Sequence, residues 1–303
     1  MKVLLAGANS YIGRMLIPFL LEKGYEIVCL VSDKKRFQEH NAFANGVTLI
    51  SGDLLREQSI ETLPADIEVA YYLVHSMAQS QDLAALEALS AYNFVHALDR
   101  TDCRQTILLS GLSHGNGRSK RMESRKHVED ILKEGKSALT ILRATIIIGS
   151  GSVSFEIIRD LTEKFPVITI SGWINSPCQP IAISDVLTYL ESVVLNEKTF
   201  NRSFDIGGPD ILTFKEMILE YARIRQLKRR VITIPFLPSG ILSYWLSRTS
   251  SFGYAATHNL ASRLKGGTIM HEHAIQEIVP NRCLTYKESL LLAINHTPVK
   301  SNE

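Results

Sequence analysis

The feature that most constrains this chain is a glycine turn between an apolar run and a helical pattern at its N-terminus. The run Val3-Leu4-Leu5 ends at Gly7, and apolar residues then recur at helical spacing from Tyr11 onward. A continuous apolar run of this kind is typical of a strand buried on both faces. Ser10 is the predicted N-cap of the helix, and Pro18 predicts a bend because it removes one backbone donor. The stretch therefore predicts a strand, a tight turn and a helix.

The glycines at positions 7 and 13 are typical of a dinucleotide site. Gly7 lets the chain turn sharply and lets a pyrophosphate approach the backbone, and Gly13 lets helix and strand pack closely. The free amides of the first helical turn then face the anion. Ser10 replaces the middle glycine of the Gly-x-x-Gly-x-x-Gly pattern, so a tight turn that binds nothing stays open as the alternative. We expect a dinucleotide to be contacted by Gly7, Asn9, Ser10, Tyr11, Ile12 and Gly13.

The end of the second predicted strand, Glu26–Val31, bears on the choice between NADP and NAD. An acid at this position selects NAD, whereas a basic group accommodates the extra phosphate of NADP. The strand ends at Val31, and three cations follow at positions 34 to 36, so NADP is the predicted cofactor. NAD stays open because of Asp33, and the cations could equally form a solvated turn. We expect contacts to the cofactor from Ser32, Lys34 and Arg36.

Polar residues also follow the third, fourth and fifth predicted strands, at the edge where ligands bind in parallel sheets. Asp53, with Leu54 beside it, follows the third strand and is compatible with an adenine contact, with a helix N-cap, or with both. The fourth strand runs through Val74 into His75, which either lines the cofactor site or is structural. Ser110 ends the fifth strand. We expect Asp53, Leu54, Val74, His75 and Ser110 to lie at the cofactor site.

Strand and helix patterns alternate six times, which predicts a doubly wound parallel α/β sheet of the Rossmann type. The sixth strand is predicted over Leu139–Ile148. Beyond Gly151 the pattern loosens into short strands and a helix that Ser184 and Asp185 are predicted to cap and that extends to Leu195. We therefore predict an NAD(P)-binding domain over residues 1–150 and a smaller C-terminal α/β subdomain over residues 151–303. Segments near 179–206 are expected to pack back on the first domain.

Composition limits the class of protein. The net charge is +2 and hydrophobic residues make up 45%, which gives no global signal for nucleic acid or an anionic membrane. No stretch approaches the ~18 uninterrupted apolar residues of a membrane span. Four widely spaced cysteines without a Cys-x-x-Cys pair predict reduced thiols and a cytoplasmic location. We predict a small-molecule substrate and no metal site, and the oligomeric state stays open.

The order of these motifs resembles the extended and atypical short-chain dehydrogenase/reductases over nearly the whole chain. The matching stretches are residues 7–13, 52–54, 110, 142–144 with 149, 183–186 and 204–208. A bacterial NAD(P)H-binding subgroup, NmrA-like and epimerase- or dehydratase-like, is similar in residues 71–77, 178–183, 206–210 and 243–246. The resemblance implies a Rossmann fold and an NAD(P) cofactor.

The chain departs from this family where the chemistry is done. Family members that act on sugar nucleotides use a Tyr-x-x-x-Lys pair, with the tyrosine as acid/base and the lysine lowering its pKa while holding the ribose. This chain has no tyrosine between residues 92 and 189. One register places Arg121 and Arg125 at the pair, and a shift by one residue places Met122 and Lys126 there. Either register lacks the acid/base, so we expect no epimerase or dehydratase activity on nucleotide sugars.

Two functions remain open. The leading hypothesis is an NAD(P)-dependent oxidoreductase that passes hydride to a small, apolar or quinone-like acceptor, with the cofactor supplying the hydride chemistry. The candidate catalytic residues are His75, His114 and Arg125. Arg125 would hold a ribose hydroxyl or a phosphate, or would be a solvated cation. The competing hypothesis is a non-catalytic, NADP(H)-sensing regulator or assembly factor of the NmrA-like type.

An aromatic and aliphatic stretch over residues 236–254 predicts the substrate pocket. Charge is nearly absent there, and Tyr244 and Trp245 are its central rings. A flat apolar acceptor fits such a wall, whereas a sugar phosphate needs cations and donors. Packing within the C-terminal subdomain and an exposed patch for a partner stay open as alternatives.

Overall fold

The computed structural model of the chain describes residues 1–60, 62–74, 83–112, 120–171, 176–234, 260, 267, 269–270 and 274–296, without the side chains of residues 120–122, 170 and 171. The strands are β1 (Lys2–Ala6), β2 (Glu26–Val31), β3 (Thr48–Ser51), β4 (Val69–Tyr72), β5 (Gln105–Gly111), β6 (Ala138–Ala144), β7 (Ile147–Ile148), β8 (Val167–Ser171), β9 (Pro177–Cys178), β10 (Ile181–Ala182), β11 (Arg202–Ile206), β12 (Leu212–Thr213) and β13 (Arg230–Ile234). The helices are α1 (Tyr11–Glu22), α2 (Lys34–His40), α3 (Leu83–Leu98), α4 (Lys120–Lys133), α5 (Val153–Lys164), α6 (Ile183–Ser192), α7 (Phe214–Ile224), α8 (Ala274–Ile278) and α9 (Tyr286–Asn295).

A seven-stranded sheet forms the centre of the fold, in the order β11-β6-β5-β4-β1-β2-β3. Every neighbouring pair in it is parallel. The strand order reverses between β1 and β4, and the carboxyl ends of the strands leave a crevice at such a switch point. The predicted doubly wound Rossmann-type sheet is thus confirmed, and the glycine turn lies at the switch point.

Side chains of successive strand residues enter two different cores, one on each face of the sheet. Val3 and Leu5 of β1 pack with residues of α1 and α6. Leu4 and Ala6 of the same strand pack with residues of α3 and α4. This alternation follows from the two-residue period of a strand, and it explains why β1 is apolar throughout.

Helix α1 is continuous from Tyr11 to Glu22 with Pro18 inside it. The predicted helix is therefore confirmed, whereas the predicted bend stays a prediction. None of the helices in the described ranges combines the length and the hydropathy needed to cross a membrane.

The predicted sixth strand is wrong in its length. The strand over Leu139–Ile148 divides into β6 and β7 at Thr145, whose amide donates to Ile206 O at 3.2 Å and whose hydroxyl donates to Gln179 O. β7 pairs with β10 in a separate two-stranded sheet. Hydrogen bonds to residues distant in sequence thus divide a run that its apolar pattern shows as continuous.

The predicted capping of α6 by Ser184 and Asp185 is also wrong. Ala182 occupies the N-cap position without a side-chain cap, and the helix ends before the predicted Leu195. Asp185 lies within the first turn and is buried, and its carboxylate accepts a hydrogen bond from Leu284 N at 2.9 Å. The acid therefore connects α6 to the segment before α9.

A second core lies beyond β6. It is built from apolar side chains of α5, α7 and α9 together with β7 and β8. β13 pairs with β8, and β12 pairs with β9. β11, in contrast, pairs with β6 in the central sheet. The domain boundary at residue 150 stays a prediction.

Candidate functional site

The glycine turn after β1 is closed by backbone geometry that only glycine permits. Gly7 has a φ of +91°, and a Cβ built there would lie 2.5 Å from Leu73 O. A Cβ at Gly13 would lie 2.5 Å from Gly7 O and 2.9 Å from the Cα of Ala8. The turn and the start of α1 are therefore in direct backbone contact.

Ser10 is the N-cap of α1, as predicted. Its hydroxyl accepts a hydrogen bond from Gly13 N at 3.0 Å, and its own amide donates to Gly7 O at 2.9 Å. The first four amides of a helix have no intrahelical acceptor. Since Ser10 provides the acceptor for Gly13, the amides of Tyr11 and Ile12 remain for an anion at the positive end of the helix.

A cavity of about 440 Å³ opens beside this turn, at the carboxyl ends of the central strands. Its lining comes from the β1 turn, from the ends of β2 to β5, and from helices α3 and α4. The lining residues are Gly7, Ala8, Asn9, Leu30, Val31, Ser32, Gly52, Asp53, Leu54, Leu55, Tyr72, Val74, Leu86, Glu87, Ser90, Leu108, Ser110, Arg125 and Val128. This site fits a dinucleotide in three respects. The turn has no room for a Cβ at Gly7 or Gly13, the first amides of α1 are available to a phosphate, and the cavity lies at the switch point of the sheet.

The cavity brings together part of the predicted site. The predicted residues that line it are Gly7, Asn9, Ser32, Asp53, Leu54, Val74, Ser110 and Arg125. Ser10, Tyr11, Ile12 and Gly13 lie next to it, in the N-cap and first turn of α1. His75, His114, Tyr244 and Trp245 lie outside the described residues, so their roles stay predictions.

The loop after β3 forms one wall, and hydrogen bonds fix it from two sides. The carboxylate of Asp53 accepts from Leu55 N at 3.0 Å, which closes a local turn. Its amide donates to the hydroxyl of Ser59 at 2.8 Å. The buried Asn93 of α3 donates to Leu54 O at 2.8 Å. Asp53 and Leu54 are therefore held at the cavity, and the adenine contact stays a prediction.

The cations after β2 lie apart from the cavity lining. Lys34, Lys35 and Arg36 form the first turn of α2 and are exposed. Asp33 is the N-cap of that helix, and its carboxylate accepts from Arg36 N at 3.0 Å. An acid engaged in capping is less available to a ribose, but the preference for NADP over NAD stays a prediction.

Helix α4 presents Arg125 to the cavity, whereas Lys126 is exposed and is not part of the lining. The register that aligns Arg121 and Arg125 with the family pair is compatible with this placement, and the choice between the two registers stays a prediction. Arg125 also approaches Gly111 O at the end of β5, at 3.5 Å from Nη1.

Two contacts hold α4 in this position. Ser124 donates from its hydroxyl to Glu87 Oε2 at 2.5 Å and so connects α4 to α3. Arg143 of β6 donates from Nη2 to Glu129 Oε2 at 2.6 Å and connects α4 to the sheet. The hydrogen bond to Glu129 raises the pKa of Arg143. Arg125 lies between these two contacts along the helix, so its orientation depends on both.

The sequence patterns missed the wall that α3 contributes, namely Leu86, Glu87 and Ser90. Glu87 is the only Asp, Glu, Lys or Arg in Leu83–Leu98. A lone acid in an otherwise uncharged helix is the signal that could have identified it. Burial, and then the negative charge of Glu87, raise the pKa of Tyr72 at the end of β4.

The side chain of Tyr11 points away from the cavity lining, toward the loop after β7. A Cβ at Gly149 would touch its hydroxyl, and one at Gly151 would lie 3.4 Å from its ring. The hydroxyl is buried without a hydrogen-bond partner among the described residues. Burial, and then the charge of Glu156, raise the pKa of Tyr11. A phenol with a raised pKa is a poor substitute for the activated tyrosine of the family.

Comparison with known proteins agrees with this geometry. Residues 7–157 match the family model described as NAD(P)H-binding. Divinyl chlorophyllide a 8-vinyl-reductase of Arabidopsis thaliana is 23% identical over 228 residues, which are 69% of this chain and 53% of the plant protein. The chain thus spans about half the length of that relative. Photosystem II assembly factor Ycf39 of Cyanophora paradoxa is 25% identical over 274 residues, 87% of this chain and 79% of the factor.

Solved structures share the fold at low identity. A nucleoside-diphosphate-sugar epimerase of Staphylococcus aureus has a TM-score of 0.76 at 12% identity, over 96% of this chain and 99% of its own. A NADPH-dependent quinone oxidoreductase of Escherichia coli, complexed with NADPH, has a TM-score of 0.73 at 16% identity, also over 96% and 99%. Fold and family match thus lead to one conclusion: residues 7–157 of this chain carry an NAD(P)H-binding domain with a Rossmann fold.

Proposed function

We propose that this protein is an NAD(P)H-dependent oxidoreductase that transfers hydride to a small apolar or quinone-like acceptor without a tyrosine acid/base. The observation that carries the proposal is Arg125, which lines the cavity of a chain that has no tyrosine between residues 92 and 189. The names of two of the similar proteins, a vinyl reductase and a quinone oxidoreductase, support the same reaction class.

The missing tyrosine limits which substrates the site can serve. Oxidation of a sugar carbinol needs a base that removes the hydroxyl proton as hydride leaves, and the family tyrosine does this with a neighbouring lysine. An arginine keeps its charge under all ordinary conditions and offers donors but no base. A conjugated acceptor avoids the requirement because its reduced form can take a proton from water.

The protein then has to bind, orient and exclude water. Bound dihydronicotinamide supplies the hydride. Gly7 and Gly13 leave room for the pyrophosphate, and the α1 amides bind its charge. Asn93 and Ser59 hold the loop at Asp53 against the cavity. Arg125 offers hydrogen-bond donors at the part of the cavity wall that α4 forms.

NADPH is the proposed preferred form. Lys34 and Arg36 follow β2 as exposed cations, and Asp33 caps α2 with the carboxylate that would otherwise favour NAD. The acceptor is proposed to lie against Tyr244 and Trp245, because residues 236–254 are apolar, aromatic and nearly uncharged.

The test combines calorimetric binding of NADPH and NADH with loss of dihydronicotinamide absorbance over a panel of quinones. Binding of NADPH with turnover of at least one quinone supports the proposal, and failure to bind either dinucleotide at millimolar concentration would refute it. Tyr244→Ala and Trp245→Ala should weaken acceptor binding while NADPH affinity stays unchanged. Gly46→Ala is the control variant and should leave both affinities unchanged, since a Cβ there meets only the Leu21 side chain at 3.5 Å.

The second candidate is a non-catalytic NADP(H)-responsive regulator or assembly factor. The lost tyrosine favours it, and so does the similarity to a photosystem II assembly factor over 87% of this chain. The same test separates the candidates, because a sensor binds NADPH but oxidises it no faster with quinones than free NADPH reacts.

A further inference from the structure

Glu87 is a charged side chain in a cavity wall to which neither the sequence patterns nor the proposed reaction gives a role. It projects from α3 into the lining, beside Ser90 of the same helix. Its Oε2 accepts a hydrogen bond from the Ser124 hydroxyl at 2.5 Å. An ionised carboxylate offers about four acceptor positions, and this serine takes one of them. The carboxylate is thus held in one orientation and retains acceptor capacity toward the cavity.

The neighbours of Glu87 place it at the nicotinamide half of the site. The two halves of a dinucleotide lie on opposite sides of the switch point between β1 and β4. The carboxylate contacts Ser124, and the next residue, Arg125, lines the cavity beside the end of β5. Asp53, the other carboxylate of the lining, follows β3 on the far side of β1. The two acids therefore belong to different halves.

The chemistry at this wall matches a ribose diol. A hydroxyl both donates and accepts a hydrogen bond, so it is satisfied by a carboxylate and a guanidinium together. Carboxylates recognise ribose hydroxyls in dinucleotide folds, although from the end of the second strand. In this chain the second strand ends at Val31 and is followed by Ser32, and α3 supplies an acid at the cavity instead.

We propose that Glu87 accepts a hydrogen bond from the nicotinamide ribose of the bound dinucleotide while Arg125 donates to the same diol. Ser124 is a positioning residue that acts through the carboxylate. The pair would replace the ribose-holding role of the family lysine. This inference rests on the dinucleotide binding of the proposed function and not on its hydride acceptor.

The competing explanation is structural: Glu87 would only join α3 to α4 through Ser124. The two explanations differ in what each substitution changes. If the contact is purely structural, Glu87→Gln and Ser124→Ala should lower the melting temperature by similar amounts. The affinity lost on removing a ribose hydroxyl should then be the same in these variants as in the unmodified protein. A ribose contact makes the affinity depend on the hydroxyl of the ligand and on the acid together.

The experiment is a double-mutant cycle between protein and ligand, measured by calorimetry without turnover. The reference ligand is whichever of NADPH and NADH the unmodified protein binds more tightly. It is compared with its analogues lacking the 2′- or the 3′-hydroxyl of the nicotinamide ribose and with an analogue lacking the 3′-hydroxyl of the adenosine ribose. The proteins are the unmodified chain, Glu87→Ala, Glu87→Gln and Ser124→Ala. Glu123→Gln is the matched control, because it removes a carboxylate from an exposed position on α4 that is not part of the lining.

We expect the unmodified protein to bind at least one nicotinamide-ribose analogue about 10- to 100-fold more weakly than the intact dinucleotide, as for loss of a hydrogen bond to a charged group. In Glu87→Ala that difference should shrink to the part that Arg125 contributes, and in Glu87→Gln it should shrink less, since an amide oxygen still accepts. It should persist in Glu123→Gln. The cycle compares ligands within one protein, so an altered charge or stability of the variant cancels.

Three outcomes would overturn the inference. They are an undiminished difference in Glu87→Ala, no difference in the unmodified protein, and a coupling to the adenosine ribose instead. In each of these the intact dinucleotide still binds, so the proposed function survives. Absence of NADH and NADPH binding in the unmodified protein would refute both.

Discussion

Gly13→Ala is the most specific perturbation of the cofactor site, because backbone atoms already occupy the space that a Cβ at Gly13 would need. The new Cβ would lie 2.5 Å from Gly7 O, where ordinary contact begins at 3.4 Å, so α1 and the turn must separate by about 0.9 Å. Both contacting groups are main-chain atoms that cannot rotate away. We expect this overpacking to destabilise the fold by about 1–3 kcal/mol.

The same displacement should weaken cofactor binding more than it weakens the fold. It moves the amides of Tyr11 and Ile12 relative to the turn that receives the pyrophosphate. For a ligand at ~100 times its Kd, the stabilisation of the native state is about 2.7 kcal/mol. A hundredfold loss of affinity would reduce that stabilisation to about 0.4 kcal/mol at the same concentration.

Thermal unfolding with and without NADPH measures both effects. Gly46→Ala is the control, since its Cβ meets only a side-chain methyl at 3.5 Å and its φ is not positive. Gly13→Ala should melt earlier and respond weakly to NADPH, whereas Gly46→Ala should behave as the unmodified protein does. If NADPH stabilises both variants equally, the close contact of α1 with the turn does not determine binding.

Three further predictions concern the buried Gln105 side chain, the buried Asp185 carboxylate and the absent acid/base. Gln105, fully buried, donates to Val193 O at 2.9 Å and accepts from Leu195 N at 2.6 Å, so Gln105→Leu should lower the free energy of unfolding in urea by at least about 2 kcal/mol and leave NADPH affinity unchanged. Burial raises the pKa of Asp185 above 3.8; the folded state then holds this proton more tightly than the unfolded state, so stability is lost as pH rises through the folded pKa. Urea unfolding at several pH values should show a smaller loss of stability between about pH 4 and 7 for Asp185→Asn than for the unmodified protein, and equal losses would contradict the burial argument. A panel of UDP- and GDP-sugars should show no epimerisation or dehydration at ordinary enzyme rates, and Arg121→Tyr combined with Arg125→Lys should restore little, because a catalytic pair works only when neighbouring side chains hold it in the productive geometry.

The sequence was sufficient where local pattern determines local structure. The apolar run of β1 and the capping role of Ser10 follow from spacing and residue type, and the structure agrees. Alternation of strands and helices was enough for the parallel sheet. These features depend on residues a few positions apart, so a single sequence contains the information.

The sequence was insufficient where the partner is distant. Asp185 has the position of a capping acid, but its carboxylate binds an amide 99 residues away. Glu87 meets Ser124 across two helices, 37 residues apart. The division of β6 from β7 likewise depends on Gln179. A local pattern can mark such a residue as unusual, as the lone acid of α3 does for Glu87, but it does not name the distant partner. The contacts between α3 and α4 are therefore visible only in the packed structure.

The place of β11 has a consequence for how this protein is made. The outer edge of β6 pairs with β11, in which Arg202 lies opposite Thr140, 62 residues earlier in the chain. Pairing over so long a separation forms late, both at the ribosome and in refolding. Until then β6 presents an open row of backbone donors and acceptors, which is a template for association with other chains. A fragment that stops at residue 157 would keep the whole glycine turn yet expose that edge permanently. We expect such a fragment to aggregate during expression, so cofactor studies should include all 303 residues of this sequence.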